Sequence, residues 1–440
     1  MTTYLQAGAA VADITPADSQ FLYGYPFVLR YSTGVHDPLL SSALYLSDGQ
    51  GAAMFIANDL IWVGKASTRR IRERIAAATG LPAGAVMVTA THTHSGPMTL
   101  DYISNEADEV VPKTDQAYVS FMEDRIVSTG IQAFEAARPA EAGLVSVEVA
   151  GLGTNRRDPD GQADREVPIL MVRSLESGQP LACMLVCSMH PTVLHEDSRL
   201  ISADFPGMAR LYLQREVLGA DCPVLYHTGP AGNQSPRHVT RSNTFTEAER
   251  LGALLGKAVA KVIPAAHYDS SLRVCTRQVF TDLPRRPLPS LAEARRKRDA
   301  ARRRLEELKS GPAPRQKVRT AEVDWFGSEE TLTLARAAEE GRLEGAYASV
   351  LPAEIQLISV GPCAFVGWQG EIFVEYALAV KSRRPGAYII SLANGELQGY
   401  IVTPEAVAEG AYEASNALFA PESGQILVER TLDLLGSCQP

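Results

Sequence analysis

Short apolar, β-branched runs alternate with amphipathic helical stretches along most of this chain, and that alternation limits what it can fold into. Residues 52 to 57 (Ala-Ala-Met-Phe-Ile-Ala) read as a strand ending at Asn58-Asp59. Residues 66 to 79 place Ile71 and Ile75 on one helical face and close at Gly80. Leu181 to Met189, Cys222 to His227 and Tyr388 to Leu392 read as further strands. The pattern predicts an α/β fold with a mixed β-sheet core flanked by helices, in which loops at strand ends carry the chemistry.

One segment departs from it. Pro289 to Leu308 is rich in strong helix formers with few apolar residues, and Gly311-Pro312-Ala313-Pro314 breaks it before a second helical stretch, Glu329 to Glu344. Residues 285–346 are therefore expected to form a helical insertion between core strands, a solvated arm whose basic cluster offers a possible homo-oligomer contact.

The chain is 440 residues long, 45% hydrophobic and 21% charged, which suits a large buried core. Its net charge of −9 argues against nucleic acid as a partner and leaves a small molecule as the expected one. No apolar run reaches ~18 residues, so no transmembrane segment is expected. Residues 1–6 carry no basic n-region or apolar h-region, so no signal peptide is expected. The six cysteines are scattered, mostly in apolar runs, and read as reduced core thiols of a cytoplasmic protein.

The chemistry centres on residues 85–97. Ala85-Val86-Met87-Val88-Thr89 reads as a buried strand running into Ala90-Thr91-His92-Thr93-His94-Ser95-Gly96-Pro97. Extended chain would project His92 and His94 to one side, where paired imidazoles suit a divalent metal or proton transfer. A second apolar strand delivers His190, stopped by Pro191. Asp204, just before a helix, is either an N-cap or a carboxylate orienting a ligand imidazole. His227 to Arg237 form a stiff Gly- and Pro-containing loop, either a simple turn or a platform presenting Ser235 and backbone N–H groups. Glu371 sits at a strand-to-helix junction, and Tyr400 and Tyr412 follow in the C-terminal region.

Together these strings resemble the neutral (alkaline, non-lysosomal) ceramidases, zinc amidases that cut the N-acyl bond of ceramide. The landmarks run in family order from Ala12-Asp13-Ile14-Thr15 and Gly24-Tyr25 through the Thr-His-Thr-His-Ser-Gly-Pro string to Thr154-Asn155-Arg156, His190, Ser202-Ala203-Asp204, Ser235-Pro236, Gly370-Glu371, Tyr400 and Tyr412-Glu413-Ala414-Ser415. The resemblance implies one ceramidase-type catalytic domain over 1–440. It also implies a Zn2+ ion held by His92, His190, Glu371 and Tyr400. His94, Arg156 and Tyr412 would contact the scissile carbonyl, and Ser235 would orient water or substrate.

The departures concern the substrate. Asn233 stands where the family has an acidic residue, Arg237 where it has an Asn, and Ile372-Phe373-Val374 replaces a threonine-rich pattern. The resemblance stops short of the family's C-terminal immunoglobulin-like domain, which is not expected in this chain. The expected activity is zinc-dependent hydrolysis of an amide in an N-acyl compound, ceramide-like or smaller and more polar. A zinc esterase or lactonase is the alternative, as is a non-catalytic metal-binding homologue. Asn233 and Arg237 join Asp204 as candidate supporting or substrate-contacting residues.

Overall fold

The computed structural model describes residues 4–437. Its largest sheet has nine strands and is mixed, as the alternating pattern predicted. Strand Val224–Thr228 pairs in parallel with Pro180–Cys187 at one end, and Ala52–Asn58 pairs in parallel with Val86–Ala90 at the other. Between them the strands Glu166–Ser174, Arg138–Glu148, Gln6–Asp13 and Leu40–Ser47 run antiparallel. Nearly every residue of the two end pairs is buried, as sheet strands covered on both faces require.

The two ends of this sheet face each other. The Thr89 hydroxyl meets His227 Nδ1 at 2.8 Å, and the Thr228 hydroxyl donates to the Thr91 carbonyl at 2.7 Å. Residues 391–394 run between them: Ser391 N–H bonds the Thr228 carbonyl, and Asn394 N–H bonds the Val88 carbonyl. The loops after Ala90, Cys187 and Thr228 therefore leave the same region of the molecule, which is how residues about 100 positions apart in sequence come into reach.

A second sheet, in the order Val274–Thr281, Ala353–Val360, Cys363–Trp368 and Ala387–Ile390, shares an apolar core with the first through Phe55, Met87, Ile358, Phe365 and Ile390. Helix Lys65–Thr79 is tied to it by Arg72, whose guanidinium meets Glu354 at 2.9 Å in a buried ion pair and also donates to Gln356. This helix lies within a residue of its sequence-predicted bounds.

The insertion lies between two strands that pair with each other, Val274–Thr281 and Ala353–Val360. It contains helices Leu291–Ser310, Arg315–Glu339 and Leu343–Val350. The first behaves as predicted: only Ala294 and Leu305 are buried, and Arg298, Arg304 and Lys309 pair with acids of the second helix. The second corrects the expectation of a solvated arm. It starts at Arg315 rather than Glu329, and Ala321, Phe326, Leu332, Leu334, Ala335 and Ala337 are buried. Its Trp325 and Phe326 stack on Phe27, and Thr331 donates to the Ser415 carbonyl at 2.9 Å. A weakly amphipathic sequence hides this, because one face of the helix meets the domain and another meets the first insertion helix.

Cys183, Cys187, Cys222 and Cys363 are free thiols, as expected. Cys275 departs from that expectation, being disulfide-bonded, and Cys438 lies outside the described residues. No helix among the described residues is long and apolar enough to cross a membrane.

Candidate active site

His92 and His94 reach the same point, but not by extended alternation. The strand ends at Ala90, and His92 adopts a left-handed backbone conformation at φ 69°. That turn brings His92 Nε2 to 3.4 Å from His94 Nε2 and 3.2 Å from His190 Nε2. Glu371 Oε2 closes the group, 3.3 Å from His92 Nε2 and 3.0 Å from His190 Nε2. The Glu belongs to the two-residue strand Glu371–Ile372, ahead of the helix rather than in its first turn.

The other ring nitrogens decide what these atoms can be. His92 Nδ1 lies 3.0 Å from the Ile61 carbonyl, and His190 Nδ1 contacts the carbonyls of Ala231 and Gln234. Carbonyls only accept, so both Nδ1 atoms carry a proton, and in the neutral form of each ring Nε2 presents a lone pair. Two buried lone pairs and a carboxylate then face one another with no proton between them, an arrangement that a cation satisfies. Ligand atoms around a tetrahedral zinc lie roughly 3.3–3.6 Å apart, given bonds of about 2.0–2.2 Å. The separations here, 3.0–3.4 Å, lie within or just below that range. Nitrogen and oxygen donors in this mix suit zinc, so the residues fit the ion that the resemblance implied.

Electrostatics agree. Burial pushes His190 down to about 4, so the ring is neutral at neutral pH. Burial, together with the repulsion that protonated His92 and His190 would add, likewise holds His94 well below the ordinary imidazole value. Burial would raise Glu371, but the positive charge and hydrogen bonds that protonated His92 and His190 would supply, in the place a cation would take, hold its carboxyl well below the ordinary value. His94, assigned to the scissile carbonyl by resemblance, is within ligand reach as well, because its ring joins His92 and His190 with nitrogens within 4.8 Å of one another.

The remaining residues gather on one side. Tyr400 is the register partner of Glu371 on the parallel strand Tyr400–Ile401. The Arg156 guanidinium lies 5.2 Å from the Tyr400 ring centre, and the Tyr412 ring is 6.3 Å from that of Tyr400. Burial raises both phenols above their ordinary value, so each stays protonated unless a cation draws the proton away. Arg156 is anchored by Glu413 at 2.6 Å, yet its Nη2 is buried without a hydrogen-bond partner. An unmet guanidinium donor beside the histidine cluster is a place for a substrate oxygen.

Ser235 pairs with Thr154, adjacent to Asn155 and Arg156, and its hydroxyl accepts the Arg237 N–H at 3.1 Å, capping a short 3-10 turn. Among the described residues no side-chain base bonds to it, which fits an orienting role better than a nucleophilic one. Asn233 is fully buried and spends its amide on Glu375 and its carbonyl oxygen on Val374 N–H, so it positions the serine loop rather than touching substrate. Arg237 is exposed at the rim. Asp204 is neither of the two things expected of it. Its carboxylate accepts N–H groups of Val193, Leu194 and Phe205 and so pins the loop that follows His190 without touching the imidazole.

Two supporting residues escaped the sequence reading. Arg30 is fully buried and donates to the carbonyls of His94 and Ser198. Gly24, at φ 119°, lies so close to His94 that an added Cβ would sit 2.4 Å from its Nδ1. No motif signals Arg30; Gly24 stood out only as part of a Gly-Tyr landmark.

Comparison with known proteins follows the same lines. The model of the neutral/alkaline non-lysosomal ceramidase family, N-terminal part, matches residues 5–223. Neutral ceramidase B of Dictyostelium discoideum is 23% identical over 232 residues, covering 49% of this chain and 32% of its own length. The chain thus spans about a third of that relative. The neutral ceramidase of Pseudomonas aeruginosa has the same fold, with a TM-score of 0.76 at 20% identity over 99% of this chain and 75% of that one. A ceramidase complexed with C2 superposes at a TM-score of 0.75 and 17% identity, covering 99% and 76% of the two chains. This chain belongs to the neutral/alkaline ceramidase family.

Proposed function

We propose that the chain is a zinc-dependent amidohydrolase acting on an N-acyl compound, ceramide-like or smaller and more polar. The observation that carries this reading is the convergence on the buried Glu371 carboxylate of two buried Nε2 atoms whose rings bond carbonyls through Nδ1. His92, His190 and Glu371 would hold the ion, with His94 and Tyr400 in reach to complete its shell. Bound zinc supplies Lewis acidity and makes water a competent nucleophile at neutral pH.

The chain's own residues would do the rest. The free Nη2 of Arg156 supports binding of the scissile carbonyl oxygen, and Glu413 holds the guanidinium in place so that little reorganisation accompanies charge development. Tyr412, kept protonated by burial, is a hydrogen-bond donor for the same oxygen. Ser235, on a strand paired next to Arg156, orients the substrate, and exposed Arg237 suits a carboxylate or phosphate at the mouth. The test is a metal analysis paired with a panel of amides and esters. About one zinc per chain and chelator-sensitive amide cleavage support the reading. Zinc binding with ester-only turnover moves the assignment to an esterase, and zinc-free activity overturns it.

A further inference from the structure

The second insertion helix, Arg315–Glu339, carries one buried carboxyl that none of the roles above uses. Glu330 is 8% exposed, and among the described residues it has no hydrogen-bond or ion-pair partner. Its neighbours on the helix are all engaged. Glu329 accepts from Trp325 Nε1 at 2.9 Å and pairs with Arg298, and Thr331 bonds the Ser415 carbonyl. These contacts leave little freedom in the rotation of the helix.

Gly327 lies one turn before Glu330 and presses on the candidate site, since a Cβ there would stand 3.0 Å from Tyr412 Cδ2. Glu330 is the foremost charge acting on the phenols of both Tyr412 and Tyr23, and it feels Asp108 and Glu371 in turn. Asp108 is already spent on the N–H groups of Phe27 and Val110. Burial, with repulsion from Asp108 and Glu371, raises Glu330 to about 8. A carboxyl in such a place costs stability and has no structural bond to show for it.

We propose that Glu330 is a specificity-determining residue, through which the insertion selects substrates bearing a hydrogen-bond donor, a hydroxyl or a protonated amine, close to the scissile amide. The proposal rests on the amidohydrolase reading for its location. It gives the insertion a function: the helix supplies one wall of the site and an unpaired acid on that wall. A donor from the substrate satisfies the carboxyl, and an alkyl group in the same position leaves it buried and unmet, so discrimination comes mainly from rejecting the apolar analogue.

The experiment uses three amides of one acyl group, with ethanolamine, ethylenediamine and propylamine as the amine. It also measures the thermal shift given by the three free amines on the zinc-loaded protein. Wild type should favour the first two amides over the propylamide by roughly 10–100-fold in kcat/KM, the worth of one buried hydrogen bond, charge-assisted for the amino compound. Glu330→Leu should abolish that preference, mainly by raising propylamide kcat/KM, while keeping zinc content. Glu330→Gln should retain the preference for the ethanolamide and lose that for the amino compound. Ethanolamine and ethylenediamine should raise the wild-type Tm more than propylamine does, and not in Glu330→Leu. An unchanged preference in Glu330→Leu overturns the proposal, as does a Tm lowered by that substitution, which would mark Glu330 as structural. Absence of turnover on all three amides, with zinc bound and the amine shifts intact, counts against the amidohydrolase reading alone.

Discussion

Glu371 and Tyr400 are register partners on two parallel two-residue strands, so a carboxylate touching the imidazoles of His92 and His190 stands beside a phenol from a segment 29 positions on. Registered residues on neighbouring strands project to the same face. Tyr400→Phe keeps the ring that packs under Arg156 and removes only the hydroxyl. It should preserve the fold and weaken zinc binding by roughly 10–100-fold, as read by chelator competition. Equal affinity in the variant removes Tyr400 from the ligand set.

His92→Ala and His190→Ala should each strip most of the zinc, because one donor lost from so small a set weakens chelation steeply. Elemental analysis of the purified variants gives the answer directly. Full zinc in both would show that the ion, if present, sits elsewhere.

Arg156 and Glu413 form a nearly buried pair, with side chains 11% and 6% exposed. Glu413→Gln leaves the guanidinium without its counter-charge, at a cost of about 3–5 kcal/mol if no other acid compensates. Denaturant titration should show that loss. Arg156→Ala should instead lower kcat by roughly 10²–10³ with zinc retained, the effect of one missing oxyanion donor. A kcat equal to wild type would rule out the carbonyl contact.

Gly24→Ala should impair catalysis without unfolding the chain. The added methyl meets the His94 ring at 2.4 Å on a backbone at φ 119°, so the imidazole must move off its present line toward His92. A crystal structure of the variant with His94 in place and full activity would falsify this.

Stability should fall as pH rises through neutrality by an amount traceable to Glu330. Its folded value, about 8, lies above its ordinary one, so the folded state holds the proton longer than the unfolded chain does. Its contribution is therefore fully present below about pH 4.5 and is lost as pH climbs to about 8. The titratable groups whose charge couples to it are Asp108, Glu371, Tyr412 and Tyr23. Glu330→Gln should flatten the Tm–pH curve across that window and leave it unchanged below, as followed by calorimetry at closely spaced pH values.

Local pattern alone carried much of this protein. The apolar runs before His92, after Leu181 and before Thr228 are strands because β-branched and apolar residues are buried on both faces there, and their ends could be read within a residue or two. The histidine-rich string and the later landmarks identified a family and, through it, the candidate ligands. Tertiary structure alone brought them together: the sheet's two ends meet, Glu371 pairs with Tyr400, and carbonyls of Ile61 and Ala231 set which ring nitrogens stay free. It also decided the fate of Asp204, Asn233 and the insertion. Their hydrogen bonds reach partners distant in sequence or spread over backbone groups that carry no compositional mark. Glu330 shows the limit most plainly. On a helix whose pattern predicts solvent, a carboxyl becomes a buried wall of the site only because Gly327, Thr331 and Phe326 dock that helix on the domain.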